Sequence, residues 1–283
     1  LVLACLVLLS GYTLGAQSAT TIYVDADAGG LGNGSSWDNA YTDLQTALNV
    51  ATSGDEIWVA KGIYYPDQGV GQIDDAITST FVLTDGVAIY GGFDPGSGVN
   101  EMVERDWETY VTVLSGDVDH ETHPDTTDPH GVVTDTANIV GDNAAHVVYS
   151  ENVTATARID GVIITAGQVW SSNPEPSGAG MFNNAGGSPT LANVTFSGNY
   201  AGYGGGLYNF QNAPTLTNVT FSANFAYREG GGMYSDQSHL TLTGVTFSGN
   251  TAPALGARGG GMVSVQSELS LSDVVFSDNQ ARR

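Results

Sequence analysis

A stretch of carboxylate side chains between residues 117 and 128 is the part of the sequence best suited to bind a metal ion. Asp117, Asp119, Asp125 and Asp128 lie in this stretch, and histidines are interspersed among them. Carboxylate oxygens are the ligands that Ca²⁺ prefers, whereas imidazole nitrogens favour Zn²⁺. The spacing lacks the ligand order and central glycine of an EF-hand loop. We therefore expect a calcium site of another kind or, as the alternative, a solvated acidic loop.

Aromatic side chains at one position of a repeated segment form a second candidate site. Phe182, Tyr208 and Tyr234 each follow a Gly-containing segment and a Met or Leu residue. An aromatic ring offers a flat apolar surface, so an outward-facing row of rings would stack against the sugar rings of a saccharide. The alternative is that the three rings pack within the repeat or beneath a neighbouring loop.

The elements that must position these residues are copies of one segment, repeated between residues 177 and 279. A phenylalanine recurs at intervals of 25, 26 and 29 residues, and an asparagine follows three residues after each one. The positions are Phe196, Phe221, Phe247 and Phe276, and Asn199, Asn224, Asn250 and Asn279. Self-similarity at this period predicts a solenoid, in which each repeat contacts only its neighbours.

The apolar residues of each repeat follow the pattern of short strands. Val194, Thr195 and Phe196 alternate as apolar, polar and apolar, and Gly, Asn, Ser and Pro separate the apolar groups. Three strands and three turns per repeat fit one rung of a β-helix. Gly-Gly-Gly runs exclude the helical repeats of ankyrin and tetratricopeptide proteins, and the pattern of a leucine-rich repeat is absent. We predict an all-β fold, a right-handed parallel β-helix.

The repeated phenylalanines and asparagines are predicted to be structural. Stacked Phe rings would bury apolar area inside the rungs. Asparagine tolerates the left-handed backbone conformation that a recurring turn needs, and stacked amides can hydrogen-bond from rung to rung. A ligand-binding role for these two sets of residues is therefore not expected.

One amphipathic α-helix, from Thr42 to Ala51, is predicted before the first rung. The pattern Thr42-x-x-Gln45 is typical of a capping box, and Ser53-Gly54 would end the helix. A β-helix otherwise exposes its apolar end and its strand edges. We expect this helix to cap the N-terminal end of the solenoid.

Three segments are expected along the chain. Residues 1–18 have the apolar run and small residues of a secretory signal peptide, truncated at its start. Residues 19–54 contain an N-terminal strand, a loop and the capping helix. Residues 55–283 form the β-helix, with irregular rungs and insertions to about 177 and four regular rungs after it. No closing cap follows the last rung, so we expect the natural chain to continue.

The charge balance excludes some partners. The chain has 30 acidic and 7 basic residues, which gives a formal net charge of −23. Such a surface repels nucleic acids and anionic membranes and attracts cations. We expect no nucleic-acid partner, no membrane-spanning segment in this stretch of chain, and a monomer.

Several segments resemble known β-helix proteins. Residues 23–66, VAIYGGF (87–93), TVLSGDVD (112–119) and NAAHVVYS (143–150) resemble the cap and first rungs of the pectate-lyase-like superfamily. More narrowly, they resemble large surface or secreted β-helix proteins of bacteria. The Gly-Gly-Gly-Met/Leu and Phe-Ser-x-Asn rungs are similar to repeats in the passengers of polymorphic outer membrane proteins.

The resemblance implies a fold more strongly than an activity, because that superfamily contains lyases, hydrolases and adhesins. It implies an adhesin-like or carbohydrate-binding scaffold that is secreted or on the cell surface, with a polysaccharide or cell-surface glycan as partner. The alternative is a polysaccharide lyase, which would use an Arg or Lys base beside Ca²⁺. Arg158, next to a predicted strand, is then the candidate base. No complete catalytic set is present, so we favour the scaffold over the enzyme.

Overall fold

The computed structural model describes residues 19–169 and 177–282, and the predicted signal peptide (1–18) lies outside this range. These residues form one α-helix, α1 (Leu44–Val50), three short 3-10 helices and 25 strands. The 3-10 helices are Trp37–Asn39, Pro95–Ser97 and Thr136–Asn138. The strands are β1 (Thr21–Val24), β2 (Glu56–Ala60), β3 (Gly62–Tyr64), β4 (Phe81–Val82), β5 (Ala88–Phe93), β6 (Thr112–Ser115), β7 (Val148–Ser150), β8 (Arg158–Asp160), β9 (Ile163–Thr165), β10 (Met181–Asn183), β11 (Thr190–Ala192), β12 (Thr195–Ser197), β13 (Tyr200–Tyr203), β14 (Leu207–Phe210), β15 (Thr215–Thr217), β16 (Thr220–Ser222), β17 (Phe225–Glu229), β18 (Met233–Asp236), β19 (His239–Thr243), β20 (Thr246–Ser248), β21 (Thr251–Ala252), β22 (Met262–Val265), β23 (Glu268–Ser272), β24 (Val275–Ser277) and β25 (Gln280–Ala281).

The strands form four sheets that run along the solenoid. Sheet A contains β1, β2, β5, β8, β11, β15, β19 and β23 in spatial order. Sheet B contains β3, β6, β9, β12, β16, β20 and β24, and sheet C contains β4, β7, β10, β14, β18 and β22. Sheet D contains β13, β17, β21 and β25. Each strand pairs in parallel with its counterpart in the next turn, which confirms a parallel β-helix, of about eight turns.

The regular rungs have four strands, one more than the three predicted. In one turn the chain passes through β14, β15, β16 and β17, that is, through sheets C, A, B and D. The additional sheet D lies between sheets B and C, where the sequence pattern predicted only a turn. We call the connection from a sheet B strand to the next sheet C strand the B–C corner. In the first three turns this corner holds insertions, which include residues 65–80, 116–147, 166–169 and 177–180.

The repeated apolar residues fill the interior, as predicted. Phe196, Phe221 and Phe247 are fully buried. Their rings stack with that of Phe276 at centroid distances of 4.8–4.9 Å. Burying one such side chain contributes about 1.5–3 kcal/mol relative to leaving it exposed. This contribution recurs in the turns of Phe196, Phe221 and Phe247. Phe276 stacks on Phe247 but is 53% exposed, so the prediction that it lies inside was wrong.

The repeated asparagines form the predicted amide ladder. Of the two predicted reasons for their recurrence, the hydrogen bonds are present and the left-handed backbone is not. The Nδ2 groups of Asn199 and Asn224 donate to the Oδ1 atoms of Asn224 and Asn250, each over 3.0 Å. These asparagines do not have a positive φ. The residue before each of them adopts the left-handed conformation, for example Gly198 (φ 62°) and Ala223 (φ 53°). The asparagines therefore recur for their hydrogen bonds and not for their backbone.

Helix α1 packs on the first turn as the predicted cap, with a different N-terminus. The helix begins at Leu44, and Asp43, not Thr42, is its N-cap, since the Asp43 side chain accepts from the backbone N–H of Thr46. Gln45 does not close a capping box, because its Nε2 donates to the carbonyls of Pro66 and Thr80. Leu44, Ala47 and Leu48 join the apolar core. Within the described ranges, no helix is long and apolar enough to cross a membrane.

Candidate functional site

Three of the four predicted metal ligands are buried in the insertion at the second B–C corner. Asp117, Asp119 and Asp125 are each at most 7% exposed, although they lie in a connection and not in a strand. The Asp117 carboxylate accepts from the backbone N–H of Asp125 over 2.8 Å. Asp128 does not join them. Its Oδ1 accepts from the backbone N–H groups of His130 and Val132, so this side chain stabilises a turn.

Asp125 is held by neutral donors and surrounded by like charge. Its Oδ1 accepts from the Val140 N–H over 2.6 Å, and its Oδ2 accepts from Asn143 Nδ2 over 2.8 Å. Burial raises the pKa of Asp125 to about 7 against the opposing effect of these two hydrogen bonds, and the charges of Asp117 and Asp119 add to the shift. This carboxyl group is therefore partly protonated at neutral pH.

Two carboxylate oxygens in the same group make no hydrogen bond. They are Oδ1 of Asp117 and Oδ1 of Asp119, and both are buried. Burial raises the pKa of Asp117 as well, with a contribution from the charge of Asp119. Buried acceptors without a donor are costly, and they are satisfied by water, a proton or a cation. The ligand oxygens of Asp117, Asp119 and Asp125 do not all lie within 4.8 Å of one another. The Ca²⁺ site at these residues stays a prediction.

Arg158, the candidate catalytic base, lies in strand β8 and pairs with Asp160 of the same strand. Its Nε donates to Asp160 Oδ2 over 3.0 Å. Asp160 is 3% exposed and also accepts from Arg105 Nη2 and from Asn193 Nδ2. Burial opposes ionisation of Asp160, but the hydrogen bonds from Arg105, Asn193 and Arg158 outweigh burial and lower the pKa of this carboxyl.

This arrangement gives Arg158 a structural role that needs no substrate. A Brønsted base must accept a proton, whereas the carboxylate of Asp160 holds the Arg158 guanidinium as a charged donor. Sequence reasoning missed Arg105, because Arg105 and Asp160 are 55 residues apart and meet only through the winding of the solenoid. The assignment of Arg158 as a base remains a prediction without support from the geometry.

A groove on the outer face of sheet B lies beside this ion cluster. Its volume is about 380 Å³, and its walls include Trp107, Asn193, Asn218 and two threonines of strands β12 and β16. The Trp107 ring packs against the Arg105 guanidinium, which lies 4.8 Å from the ring centroid. An aromatic ring with amides and hydroxyls around it is a typical lining of a small-molecule site. Sequence reasoning did not single out Trp107.

The three predicted aromatic residues lie in register on the outer face of sheet C. Phe182 pairs with Tyr208 and Tyr208 with Tyr234 along β10, β14 and β18. All three side chains are half-buried, while the residues before them, Met181, Leu207 and Met233, are fully buried. Successive side chains of a strand point to opposite faces. The three rings therefore point away from the core, as the binding hypothesis requires.

The ring row is longer than the sequence indicated. Tyr149 pairs with Phe182 and extends the row by one turn, with ring centroids 5.8 Å apart. The centroid distances continue at 5.5 Å from Phe182 to Tyr208 and 5.3 Å from Tyr208 to Tyr234, and the last two rings are parallel to within 1°. We call Tyr149, Phe182, Tyr208 and Tyr234 the aromatic row. Tyr149 lies in an irregular rung, which is why the repeat pattern did not predict it.

Comparison with known proteins agrees with this architecture. The repeat described for a Chlamydia polymorphic membrane protein matches residues 193–209, which include strand β12 and the start of β14. Among solved structures, the chain is similar to pectate lyase Pel9A, with 13% identity over 92% of this chain and 79% of that chain. The TM-score of 0.31 is too low for that likeness to carry an argument about activity. No curated protein matches the chain. The molecule is a parallel β-helix in which one segment matches the repeat of a polymorphic membrane protein.

Proposed function

We propose that this protein is a surface or secreted scaffold that binds neutral saccharide chains along the outer face of sheet C. The aromatic row carries the proposal. Four outward-facing rings on consecutive turns form a continuous row along the solenoid. A linear polymer with a repeated ring unit would contact the same kind of side chain at each turn. The match to a repeat of a membrane protein supports a place at the cell surface.

Charge narrows the class of saccharide. The aromatic row lies beside Glu151 and Asp236, since Asn184 Nδ2 donates both to Tyr149 Oη and to Glu151, and Asp236 is in the same strand as Tyr234. The whole chain carries a net charge of −23. A polyuronate such as pectate would be repelled by this surface, whereas a neutral glucan or mannan would not. Neutral polymers are therefore the expected ligands.

The direct test is binding of soluble neutral polysaccharides in affinity gels, followed by titration of oligosaccharides. Removing both rings with Tyr208→Ala and Tyr234→Ala should weaken binding at least about tenfold, because each aromatic contact contributes about 0.5–1.5 kcal/mol beyond buried area. The matched control is Tyr227→Ala, which removes an exposed ring from strand β17 of sheet D. Equal affinity of the double variant and the parent would contradict the proposal.

The lyase alternative is tested on the same material. Pectate, alginate and chondroitin are incubated with the protein and Ca²⁺, and unsaturated products are followed by their absorbance. The scaffold proposal expects no product from the parent. Product formation that Arg158→Ala abolishes would establish the lyase instead.

A further inference from the structure

A second group of acidic side chains lies in the insertion at the first B–C corner, in residues 65–80. Asp67, Asp74 and Asp75 each have a carboxylate oxygen within 4.8 Å of those of the other two. Asp67 is buried, whereas Asp74 and Asp75 are exposed. The three side chains thus form a shallow pocket of oxygens with a buried base and an open rim. No other group of three or more potential ligand residues in the described ranges is this close.

The base of this pocket is a buried carboxylate that the protein does not satisfy. Asp67 is 4% exposed, and its Oδ2 accepts from the backbone N–H of Asp75 over 3.2 Å. Its Oδ1 is buried and makes no hydrogen bond. A buried acceptor of this kind costs free energy unless a donor or a cation satisfies it. The geometry therefore points to a ligand, independently of the number of acidic residues.

The charges around the pocket are also of one sign. Asp74, Asp119, Glu121 and Asp142 all act on the Asp75 carboxylate as like charges. His120, which can carry a positive charge, is the side chain near Asp67 that opposes these negative charges. Its Nε2 already lies 2.9 Å from Glu121, and its ring stacks on Tyr65. The described residues supply no lysine or arginine to this pocket, whereas they supply two arginines to Asp160.

We propose that Asp67, Asp74 and Asp75 bind one divalent cation of the Ca²⁺ type. Three carboxylates offer up to about six oxygens, and Ca²⁺ takes 6–8 at flexible geometry. Mg²⁺ requires a nearly ideal octahedron and keeps its water, so an irregular insertion suits it less well. Zn²⁺ favours nitrogen and sulfur ligands, which this group lacks. This site is distinct from Asp117, Asp119 and Asp125 and does not depend on saccharide binding.

The position of the site gives the cation a structural consequence. The same insertion, together with helix α1, lines a cavity of about 600 Å³. Gly71, Gln72 and Ile73 belong to its wall, and they lie between Asp67 and Asp74. A cation that joins Asp67 to Asp74 and Asp75 closes a loop around these residues. We therefore expect Ca²⁺ to protect the 65–80 insertion from proteolysis.

The test is calorimetric titration of the chelator-treated protein with CaCl₂ at constant ionic strength. Asp74→Asn with Asp75→Asn should weaken Ca²⁺ binding at least about tenfold, because two of the three charged ligands are lost. The control is Asp273→Asn with Asp278→Asn. It removes the same charge from exposed positions at the other end of the solenoid, and like Asp75 both residues have a positive φ. The control should bind Ca²⁺ as the parent does, to within about twofold.

Two further arms separate this site from its neighbours. Asp117→Asn with Asp119→Asn should weaken Ca²⁺ binding at Asp67, Asp74 and Asp75 less than the Asp74/Asp75 variant does, because Asp119 contributes charge but no ligand there. Proteolysis of the parent at 65–80 should slow in CaCl₂ but not in NaCl of the same ionic strength. Unchanged Ca²⁺ binding by the Asp74/Asp75 variant would overturn the proposal. Equal weakening by all three double variants would overturn it as well, because it would show a diffuse counter-ion effect.

Discussion

The B–C corner is built differently in the two halves of the solenoid, although the chain passes through it in every turn. In the regular half, Asn199, Asn224 and Asn250 stack there and bond to one another through their side-chain amides. In the irregular half, the ladder ends at Gly167, whose N–H donates to Asn199 Oδ1. Beside that point, Asn143 donates both to the carbonyl of Ala166 and to Asp125. A ladder of amides thus gives way to a group of carboxylates.

The difference follows from whether a side chain can hydrogen-bond to an identical side chain in the next turn. An amide is both donor and acceptor, so identical amides stacked on one another are satisfied without any other group. An ionised carboxylate only accepts, and like charges repel, so stacked carboxylates need a proton or a cation from outside. Repetition of a polar side chain therefore marks structure in this molecule. The irregular half, where the polar side chains do not repeat, is where we expect cations to bind.

The largest loss of stability is expected from Asn224→Asp, which places a carboxylate in the amide ladder. Asn224 is fully buried, and its Nδ2 donates to the Phe196 carbonyl over 2.9 Å and to Asn250. A carboxylate there would face two acceptors, and an unpaired buried charge costs about 3–5 kcal/mol. Denaturant unfolding at pH 7 measures the loss. The control is Asn218→Asp, an exposed ladder position in the same turn, which should change stability by less than about 1 kcal/mol. A small loss at both positions would contradict the comparison.

A smaller loss of stability is expected from Asp160→Asn. Asp160 is a buried carboxylate that is paired with two cations of the chain itself, Arg105 and Arg158. The substitution leaves Arg105 buried beside a neutral amide, and we expect a loss of about 3 kcal/mol at pH 7. The pKa of Asp160 is lowered in the folded state, so its contribution is full above the unfolded pKa and disappears as the pH falls through the folded pKa. The stabilities of the parent and the variant should therefore converge once the pH is below the lowered pKa that Asp160 has in the folded state. A constant difference at all pH values would show that the charge is not responsible.

The opposite dependence of stability on pH is expected for Asp125, because its pKa is raised to about 7. The folded state then binds a proton that the unfolded state releases between about pH 4 and pH 7, so stability falls as the pH rises through this window. In Ca²⁺-free buffer, Asp125→Asn should remove about 1–2 kcal/mol of that decline, a figure reduced for solvent screening. The measurement is the free energy of unfolding of both proteins at pH 4 and pH 7. An identical pH dependence of stability in the two proteins would show that folding does not raise the pKa of Asp125.

Much of the fold was predictable, because the same physical requirement is repeated in the sequence. The stacked Phe196 and Phe221 rings, the amide ladder and the outward direction of Tyr208 follow from repetition and from strand alternation. Sheet D did not follow, because its strands, such as β13, have no apolar pattern that distinguishes an extended segment from a turn. The N-cap at Asp43 was missed because Thr42 matched a capping pattern equally well.

The candidate sites were less predictable, because their residues meet through the winding of irregular turns. Asp117, Asp119 and Asp125 are close in sequence, and their density was a usable signal. Asp67 gave no sequence signal for a metal site, since a single aspartate after Pro66 is typical of a turn. The approach of Arg105 to Asp160 depends on how the insertion at 94–111 folds back over sheet A, and no local pattern encodes that.

The most direct test of the difference between the two halves is hydrogen–deuterium exchange resolved along the chain, with CaCl₂ and with NaCl of equal ionic strength. Each rung of a solenoid contacts only its neighbours, so the two halves can open separately. We predict that Ca²⁺ increases protection in residues 65–80 and 116–147 and leaves residues 190–282 unchanged. Equal protection of both halves by Ca²⁺, or protection of neither, would contradict the conclusion that only the irregular half requires a cation.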